Sequence, residues 1–349
     1  VNILIYRLGS LGDTIVALPA FRVVRRAYPG ARITALTNTP VSEKAAPLMS
    51  ILENTGLIDE AIDYPVGLRD PARIAALRRQ LQDGRFDLAV SLAASRGLAA
   101  SLRDWLFFKA CRIPRVIGIP LARRDLACQP VGGGLYEPEA ERLLRRVGRL
   151  GAADLRDPQW RDLSLTAEEN AAASRLLTEA GIHGDFMAAS LGSKFPHNDW
   201  GTENWRDLLS QLGAAFPALG LVLLGSGGES ARNEMLLAAW PGPRANLCGK
   251  TPPRVSAALL HKARLHLGHD SGPMHLAAAA GTRCVSIFSA KNPPGQWFPF
   301  GEGHFNLYPA DRYDPARDAD LGYQFDAISA IRVADVLAAA TTCLSQPRA

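Results

Sequence analysis

Two glycine-bearing segments far apart in the chain carry residues able to do chemistry on a phosphorylated ligand. The first, Gly9-Ser10-Leu11-Gly12-Asp13-Thr14, joins an apolar strand to a helix. Its glycines permit a tight turn and close approach of a ligand to the backbone, and the helix start offers unpaired amides. Asp13 has two readings there: a helix cap, or a carboxylate kept ionised by the helix start and able to take a proton from an acceptor hydroxyl. The spacing GxxGD is neither the GxGxxG dinucleotide fingerprint nor a P-loop, which ends in Lys and Ser/Thr. A nicotinamide-dependent oxidoreductase is accordingly a poor reading.

The second segment is Gly268-His269-Asp270-Ser271-Gly272-Pro273-Met274-His275. A strand ends, small polar residues turn, and an alanine-rich helix begins, so Ser271 and Gly272 can aim a hydroxyl and backbone amides at an anion, with phosphate the natural candidate. Asp270 suits a sugar hydroxyl or the loop itself better than a phosphate, since two anions repel. His275 is either a buried helix residue or a substrate contact. Two further strand ends belong with these. Leu191-Gly192-Ser193-Lys194 offers a small turn and one cation, which as a bland alternative is a solvated loop charge. Leu224-Gly225-Ser226-Gly227-Gly228-Glu229 offers a glycine turn and a carboxylate able to hold the two hydroxyls of a ribose, or simply an acidic residue in a first helical turn. Together these features describe a nucleoside diphosphate held by the second half of the chain, facing an acidic group of the first.

The elements that must position these residues alternate. VNILIYRL reads as a strand, TIVALPAFRVVRRAYPG as a helix and ARITALTN as a strand, which makes a βαβ unit. DPARIAALRRQLQDG, FDLAVSL, LAASLRDWLFFKACR and RVIGI continue the pattern. Residues 150–165 are polar, contain Pro158 and lack either period, so the linker is expected there, with hinge motion near residues 158–166. A second alternating set follows, from a helix at about Ala167–Ala180 to the strand RCVSIFS, and SAIRVADVLAAATTCL reads as a terminal helix. The expected fold is α/β, with two Rossmann-like open-sheet domains facing a central cleft. The expected boundaries are residues 1–160 for an acceptor-binding domain, 161–330 for a nucleotide-sugar-binding domain, and 331–349 for a terminal helix and tail.

The chain has 349 residues, 47% hydrophobic and 21% charged, enough for two domains with substantial cores. Five cysteines form no CxxC pattern, which favours a reducing cytosol over a disulfide framework or zinc cluster. The opening apolar run lacks a basic leader and no run reaches 18 uncharged apolar residues, so neither a secretory signal nor a spanning helix is expected. Residues 1–160 carry 23 Lys and Arg against 16 Asp and Glu, whereas residues 161–349 carry 16 against 18. A basic first half suits nucleic acid, an anionic membrane face or a phosphorylated substrate. No zinc-finger spacing, helix-turn-helix signature or interleaving of aromatic with basic residues accompanies it, so nucleic acid is not an expected partner.

RLGSLGDTIVALPAFRVVRRAYPGARI resembles the start of the bacterial heptosyltransferases of glycosyltransferase family 9, and LHLGHDSGPMHLAAAAGTRCVSIFS resembles their nucleotide-binding segment. SLGSKFPHNDWGTENWRDLL, LVLLGSGGESARNEML and NLCGKTPPRVSAALLHKARLHLG follow in family order, so the resemblance spans nearly the whole chain. It implies the GT-B architecture and metal-independent, inverting transfer of a sugar from a nucleotide donor. In the best-known members the donor is ADP-L-glycero-D-manno-heptose and the acceptor the lipid A and Kdo inner core of lipopolysaccharide. By motif match it implies Asp13 as general base, with Arg7, Gly9, Ser10 and Gly12 in the acceptor loop. It likewise implies Ser271 and Gly272 at the donor phosphates, with Ser193, Lys194 and Asn198 in the adjoining loop. Asp270 and His275 then fall around the donor sugar, Glu229 at the ribose, and Gly225, Gly249, Lys250 and Thr251 in the nucleotide loops.

The sequence also departs from the family. With WxxENW as the register, Asn198 stands where the family has a phosphate-binding lysine, and Trp200-Gly201 replaces Trp-Pro. Lys194 lies four residues earlier and is one substitute cation, Arg7 another. Phe325 stands where members often carry a cysteine, and Asp318-Ala319-Asp320 reads as a solvated loop rather than a metal-binding DxD element. Arg96, Arg103, Lys109, Arg112, Arg115, Arg123 and Arg124 lie in or beside a region suited to an anionic or lipid-linked acceptor, implying a peripheral position on the inner face of the cytoplasmic membrane. Trp105, Phe107 and Phe108 read first as core and second as lipid contacts. The expected function is heptose transfer from ADP-heptose to a glycan or glycolipid acceptor. The competing readings are another nucleotide sugar with a protein or secondary-metabolite acceptor, and a non-catalytic nucleotide-sugar-binding protein.

Overall fold

Asn2–Tyr6 forms β1, and its residues Ile3, Leu4 and Ile5 are fully buried because both faces of the strand meet apolar cover. The computed structural model describes residues 1–39, 46–317 and 321–347, and of 321, 322 and 325 the backbone only. Asp318-Ala319-Asp320 and the side chain of Phe325 lie outside that description. The chain divides into two compact units, Val1–Asp162 and Leu163–Ala349.

In the first unit β1 is followed by α1 (Leu11–Val16), α2 (Leu18–Ala27), β2 (Arg32–Asn38), α3 (Met49–Leu52), β3 (Glu60–Tyr64) and α4 (Pro71–Asp83). Then come β4 (Leu88–Ser91), α5 (Leu98–Ala110), β5 (Arg115–Ile117), α6 (Arg123–Leu126), a hairpin of β6 (Pro130–Gly132) and β7 (Leu135–Tyr136), and α7 (Glu139–Val147). All five main strands are parallel in the order β3-β2-β1-β4-β5. One sheet face packs Leu4, Leu36 and Ala89 against Leu81 of α4 and Phe108 of α5. On the other face Ile3, Ile5, Ile33, Ala35 and Val90 are equally buried, and α2 and α7 pack on each other. The single helix expected at Thr14–Gly30 is two helices broken at Ala17. Pro19 is the cause, since it cannot donate within a continuous helix but fits the first turn of α2.

The second unit runs α8 (Ala167–Glu179), β8 (Phe186–Ser190), α9 (Thr202–Ala215), β9 (Gly220–Leu223), α10 (Ser230–Leu237) and β10 (Arg244–Asn246). It continues with α11 (Pro253–Lys262), β11 (Leu265–His269), α12 (Gly272–Ala279), β12 (Cys284–Ile287), β13 (Phe305–Leu307), α13 (Leu321–Ser329) and α14 (Val333–Ser345). Its six parallel strands take the order β10-β9-β8-β11-β12-β13, the doubly wound order of the first sheet plus one strand. Met187, Leu221, Leu265 and Val285 face Trp205 and Leu208 of α9, Leu236 of α10, and Val336 and Ala340 of α14. α8, α11 and α12 pack together separately. Arg254 of α11, buried, forms an ion pair with Glu169 and donates to the Leu163 and Ser164 carbonyls at 3.0 Å each, which ties the start of the unit to its body. The terminal helix expected from SAIRVADVLAAATTCL is α14 alone, preceded by a separate α13, and its apolar face completes the core of this unit.

Candidate active site

In the first unit β1 ends at Tyr6 and is followed by Arg7, whose side chain is 1% exposed. Its guanidinium donates to the carbonyls of Leu92 and Asp13 and lies 3.6 Å from the Asp13 carboxylate. Burial pushes the Arg7 guanidinium down and Asp13 opposes that shift. Arg7 therefore faces the interior and touches the Gly9–Thr14 turn through Asp13. Gly9 has φ +124°, and a Cβ there would sit 2.3 Å from Asp13 Cγ, so only glycine lets this carboxylate fold back over the turn. Asp13 Oδ2 accepts from the Ser10 amide at 2.9 Å and Thr14 Oγ1 donates to the Ser10 carbonyl at 3.0 Å. The Gly9 amide donates to Asn38 Oδ1 at 2.8 Å, anchoring the turn to the end of β2. Asp13 is thus a helix cap by contact, and 28% of its side chain is still exposed, with Oδ1 directed toward Arg7. Gly12 is buried in the first turn of α1.

In the second unit parallel pairing brings the carboxyl ends of β10, β9, β8, β11 and β12 to one edge, and nearly every residue singled out for the nucleotide lies in the turns there. These turns are joined. Gly249, at φ +73°, donates its amide to the Gly225 carbonyl at 2.9 Å, and a Cβ on it would lie 2.6 Å from Gly227 Cα. Glu229 folds back to accept from the Ser226 amide at 3.0 Å. Its carboxyl group occupies the space a Cβ would need on both Gly192 and Gly225, at 2.4 and 2.3 Å. The turns after β8 and β9 therefore share one half-buried carboxylate. Thr251 Oγ1 bonds Ser256 Oγ at 2.7 Å, and Lys250 is exposed.

β11 leads through Asp270 into Ser271, the residue that opens α12, with Gly272 the first helical position. Ser271 Oγ is buried and makes no hydrogen bond among the described residues. The Asp270 amide donates to the Ile287 carbonyl at 2.9 Å, fixing this turn to β12. His275 is 3% exposed, with Nε2 3.9 Å from Asp270 Oδ1 and its ring edge-on to Trp297 at 6.0 Å. Ser193 Oγ accepts from the Phe195 amide at 3.3 Å, Lys194 is exposed, and Asn198 Oδ1 accepts from Ser289 Oγ at 3.1 Å.

His269, in the segment Gly268-His269-Asp270, organises this edge. His269 is 1% exposed; its Nε2 accepts from the Trp200 amide at 2.9 Å, so Nδ1 carries the proton and donates to the Gly192 carbonyl at 3.2 Å. Burial pushes its pKa down to about 4, and it stays neutral. Trp200 is itself buried and donates Nε1 to the Ile331 carbonyl at 2.8 Å. Asp199 beside it pairs with both terminal nitrogens of Arg232, which helps to hold its carboxyl below the ordinary range. A histidine at a strand end before a glycine-rich turn was the one available signal for His269, whereas Asp199 with Arg232 left none, being 33 residues apart. Among the described residues no three His, Cys, Asp or Glu side chains group to hold a metal ion.

Such an edge, with an unpartnered serine hydroxyl at a helix start, a carboxylate against two glycine turns and a further turn stacked on them, suits a phosphorylated nucleoside. The profile of glycosyltransferase family 9 (heptosyltransferase) matches residues 74–307. Lipopolysaccharide heptosyltransferase 3 of Escherichia coli is 34% identical over 109 residues, which span 31% of either chain. Lipopolysaccharide core heptosyltransferase OpsX of Haemophilus influenzae is 23% identical over 301 residues, 84% of this chain and 80% of its own. The solved structure of E. coli ADP-heptose lipopolysaccharide heptosyltransferase II has the same fold, with a TM-score of 0.68 at 20% identity over 100% of both chains. Two parallel α/β units consistent with a GT-B-like fold, together with a family match over most of the chain, lead to one conclusion: this chain belongs to glycosyltransferase family 9 and transfers sugar from a nucleotide-activated donor to an acceptor.

Proposed function

We propose that the chain transfers a heptose from ADP-heptose, with inversion, to a hydroxyl of a lipopolysaccharide core or related glycan acceptor. The observation that carries this reading is the joined set of turns on the second sheet, where Ser271 and Gly272, Glu229, and Gly249 stand at successive strand ends. The names of the relatives supply the sugar: each is a heptosyltransferase, and one is described with ADP-heptose. In the proposed step Asp13 takes the acceptor proton as that oxygen bonds the anomeric carbon, while the bond from that carbon to the diphosphate breaks and ADP departs. Amides at the start of α12 and the Ser271 hydroxyl stabilise the charge growing on the leaving group. Asp270 and His275 hold sugar hydroxyls, Glu229 the ribose, and Gly225, Gly249, Lys250 and Thr251 the base. The turn containing Arg7, Gly9, Ser10 and Gly12 positions Asp13 for the acceptor.

An anionic, lipid-linked acceptor draws support from α5. Leu98, Leu102 and Leu106 recur at helical spacing and are 54, 48 and 54% exposed, while Arg103, Lys109 and Arg112 lie exposed around them. Of the aromatics beside them, Phe108 is core and Phe107 packs on it. No helix among the described residues is long and apolar enough to cross a membrane. The occupant proposed for the α5 face is an anionic bilayer surface, on the cytoplasmic side where nucleotide sugars are made. Sedimentation with vesicles containing phosphatidylglycerol, lost in Leu102→Glu, supports it; equal binding by that variant contradicts it.

The altered loop at Asn198 favours a second reading, transfer of another nucleotide-activated sugar. Calorimetry with ADP-heptose, ADP-glucose and the UDP, GDP and dTDP sugars separates the two. Selective ADP-heptose binding supports the first reading, and preference for another donor moves the function to a different glycan or metabolite.

A further inference from the structure

The start of α12 presents amides to an anion, but Asp270 places a carboxylate one residue before it, and that charge opposes any diphosphate bound there. A cation is needed to offset both. Asn198 supplies none, and its amide oxygen is engaged by Ser289. Arg7 is buried in the first unit, and Arg232 is committed to Asp199. The other cations at this edge, among the described residues, are Lys194 after β8, Lys250 after β10, Lys291 after β12, and Arg312 and Arg317 after β13, of which Arg312 pairs with Asp311 and Arg317 lies over the Tyr323 ring. The strand order decides among them. β8 and β12 are the two neighbours of β11, so the loops carrying Lys194 and Lys291 flank the Ser271 turn on either side, whereas β9 and β8 stand between β10 and β11.

Both flanking lysines converge on one ring. Lys194 Nζ lies 5.4 Å and Lys291 Nζ 5.9 Å from the centroid of Phe195, and neither has an ion-pair partner among the described residues. His197 stacks on the same ring at 5.5 Å, and burial together with the charge of Lys291 pushes its pKa down, so it adds no compensating charge. The two lysines differ in mounting. Lys194 is exposed, on the turn between Ser193 and Phe195. Lys291 is half-buried and two residues from Ser289, whose hydroxyl binds Asn198, so its loop is fastened to the position where the family has its phosphate lysine.

We propose that Lys291, delivered from the loop after β12, is the residue that binds the donor diphosphate in place of the lysine absent at Asn198, with Lys194 the more weakly held partner. This rests on the nucleotide-donor reading above. It places the leaving-group cation in the loop after β12, whereas the family's lysine falls in the loop after β8, 93 residues earlier in the chain at Asn198.

The test is calorimetry of ADP, UDP and GDP, and of their nucleosides, on the wild-type chain and on Lys291→Ala, Lys194→Ala and Lys291→Arg. The charge-assisted contact predicts a loss of roughly 10- to 100-fold in nucleoside diphosphate affinity in Lys291→Ala, with nucleoside affinity unchanged. Lys291→Arg should restore most of the loss, and Lys194→Ala should cost about threefold or less. Diphosphate binding by the wild type that is indifferent to Lys291, or lost only in Lys194→Ala, overturns the assignment and leaves the donor reading standing. Equal loss of nucleoside and diphosphate in Lys291→Ala marks a damaged loop and also overturns it. A wild type that binds no nucleoside diphosphate overturns the donor reading and this assignment with it.

Discussion

The two units share a strand order, the second with one strand more, but brace the ends of their strands differently. The first places Arg7, Glu139, Arg142 and Arg146 inside, each at most 9% exposed. Arg146 donates to the carbonyls of Gly118, Ala93 and Ser91 at 2.6, 2.8 and 3.0 Å, and Arg7 holds Leu92, so guanidinium groups fix the loops leaving β4 and β5. Glu139 binds Arg142 through both carboxyl oxygens. The second unit buries one arginine, Arg254, paired with Glu169, and three histidines, His266, His269 and His275, at 0, 1 and 3% exposure. Burial holds His266 down to about 3 and His269 to about 4. The contrast teaches where each unit keeps its charge. Buried guanidinium groups brace the strand ends around Asp13, whereas the carboxyl edge of the second sheet is braced by the neutral imidazole of His269, the Asp199–Arg232 pair and tightly packed glycines.

The sharpest way to break that division is Asp13→Asn. The amide can still accept from Ser10, so the turn should survive, while transfer should fall about 10²- to 10⁴-fold with donor affinity kept. Steady-state turnover beside donor calorimetry checks this, and a proportionate loss of donor affinity would undo the separation of roles. Next in size is Glu139→Ala, which leaves Arg142 buried without its carboxylate and should destabilise the first unit by about 3 to 5 kcal/mol. Denaturant unfolding followed through both units should show this loss in one transition and not the other. The smallest effect is on pH. His266 and His269 have folded values below that of an unfolded histidine, so the unfolded chain binds more protons as pH falls from about 6.5 to the folded values. Their contribution is full above about pH 6.5 and declines below it, by at most about 1.4 kcal/mol per pH unit for each histidine. Replacing His269 with Gln should flatten part of that slope; an unchanged slope would show that its protonation is not linked to unfolding.

The alternation of apolar strands and amphipathic helices made both units readable, because each buried strand is a short continuous apolar run. Glu60–Tyr64 and Phe305–Leu307 escaped notice because they are edge strands of mixed burial, with little periodicity to detect. The turns at Gly9, Gly192, Gly225 and Ser271 stood out because glycine and small polar residues between strand and helix have few other uses. Their contacts did not stand out. Glu229 reaching Gly192, or Ser289 reaching Asn198, depends on strand order, which the linear pattern does not contain. For the same reason linear spacing points to Lys194, the nearer lysine in sequence, and only strand order brings the loop of Lys291 beside Asn198.

Acceptor-dependent release of ADP from ADP-heptose is the decisive assay of the proposed heptose transfer. ADP and heptosylated product are expected in equal amounts from the wild type, with almost no turnover in Asp13→Asn. Selective turnover of a different nucleotide sugar, or transfer unaffected by loss of the Asp13 carboxylate, would contradict it.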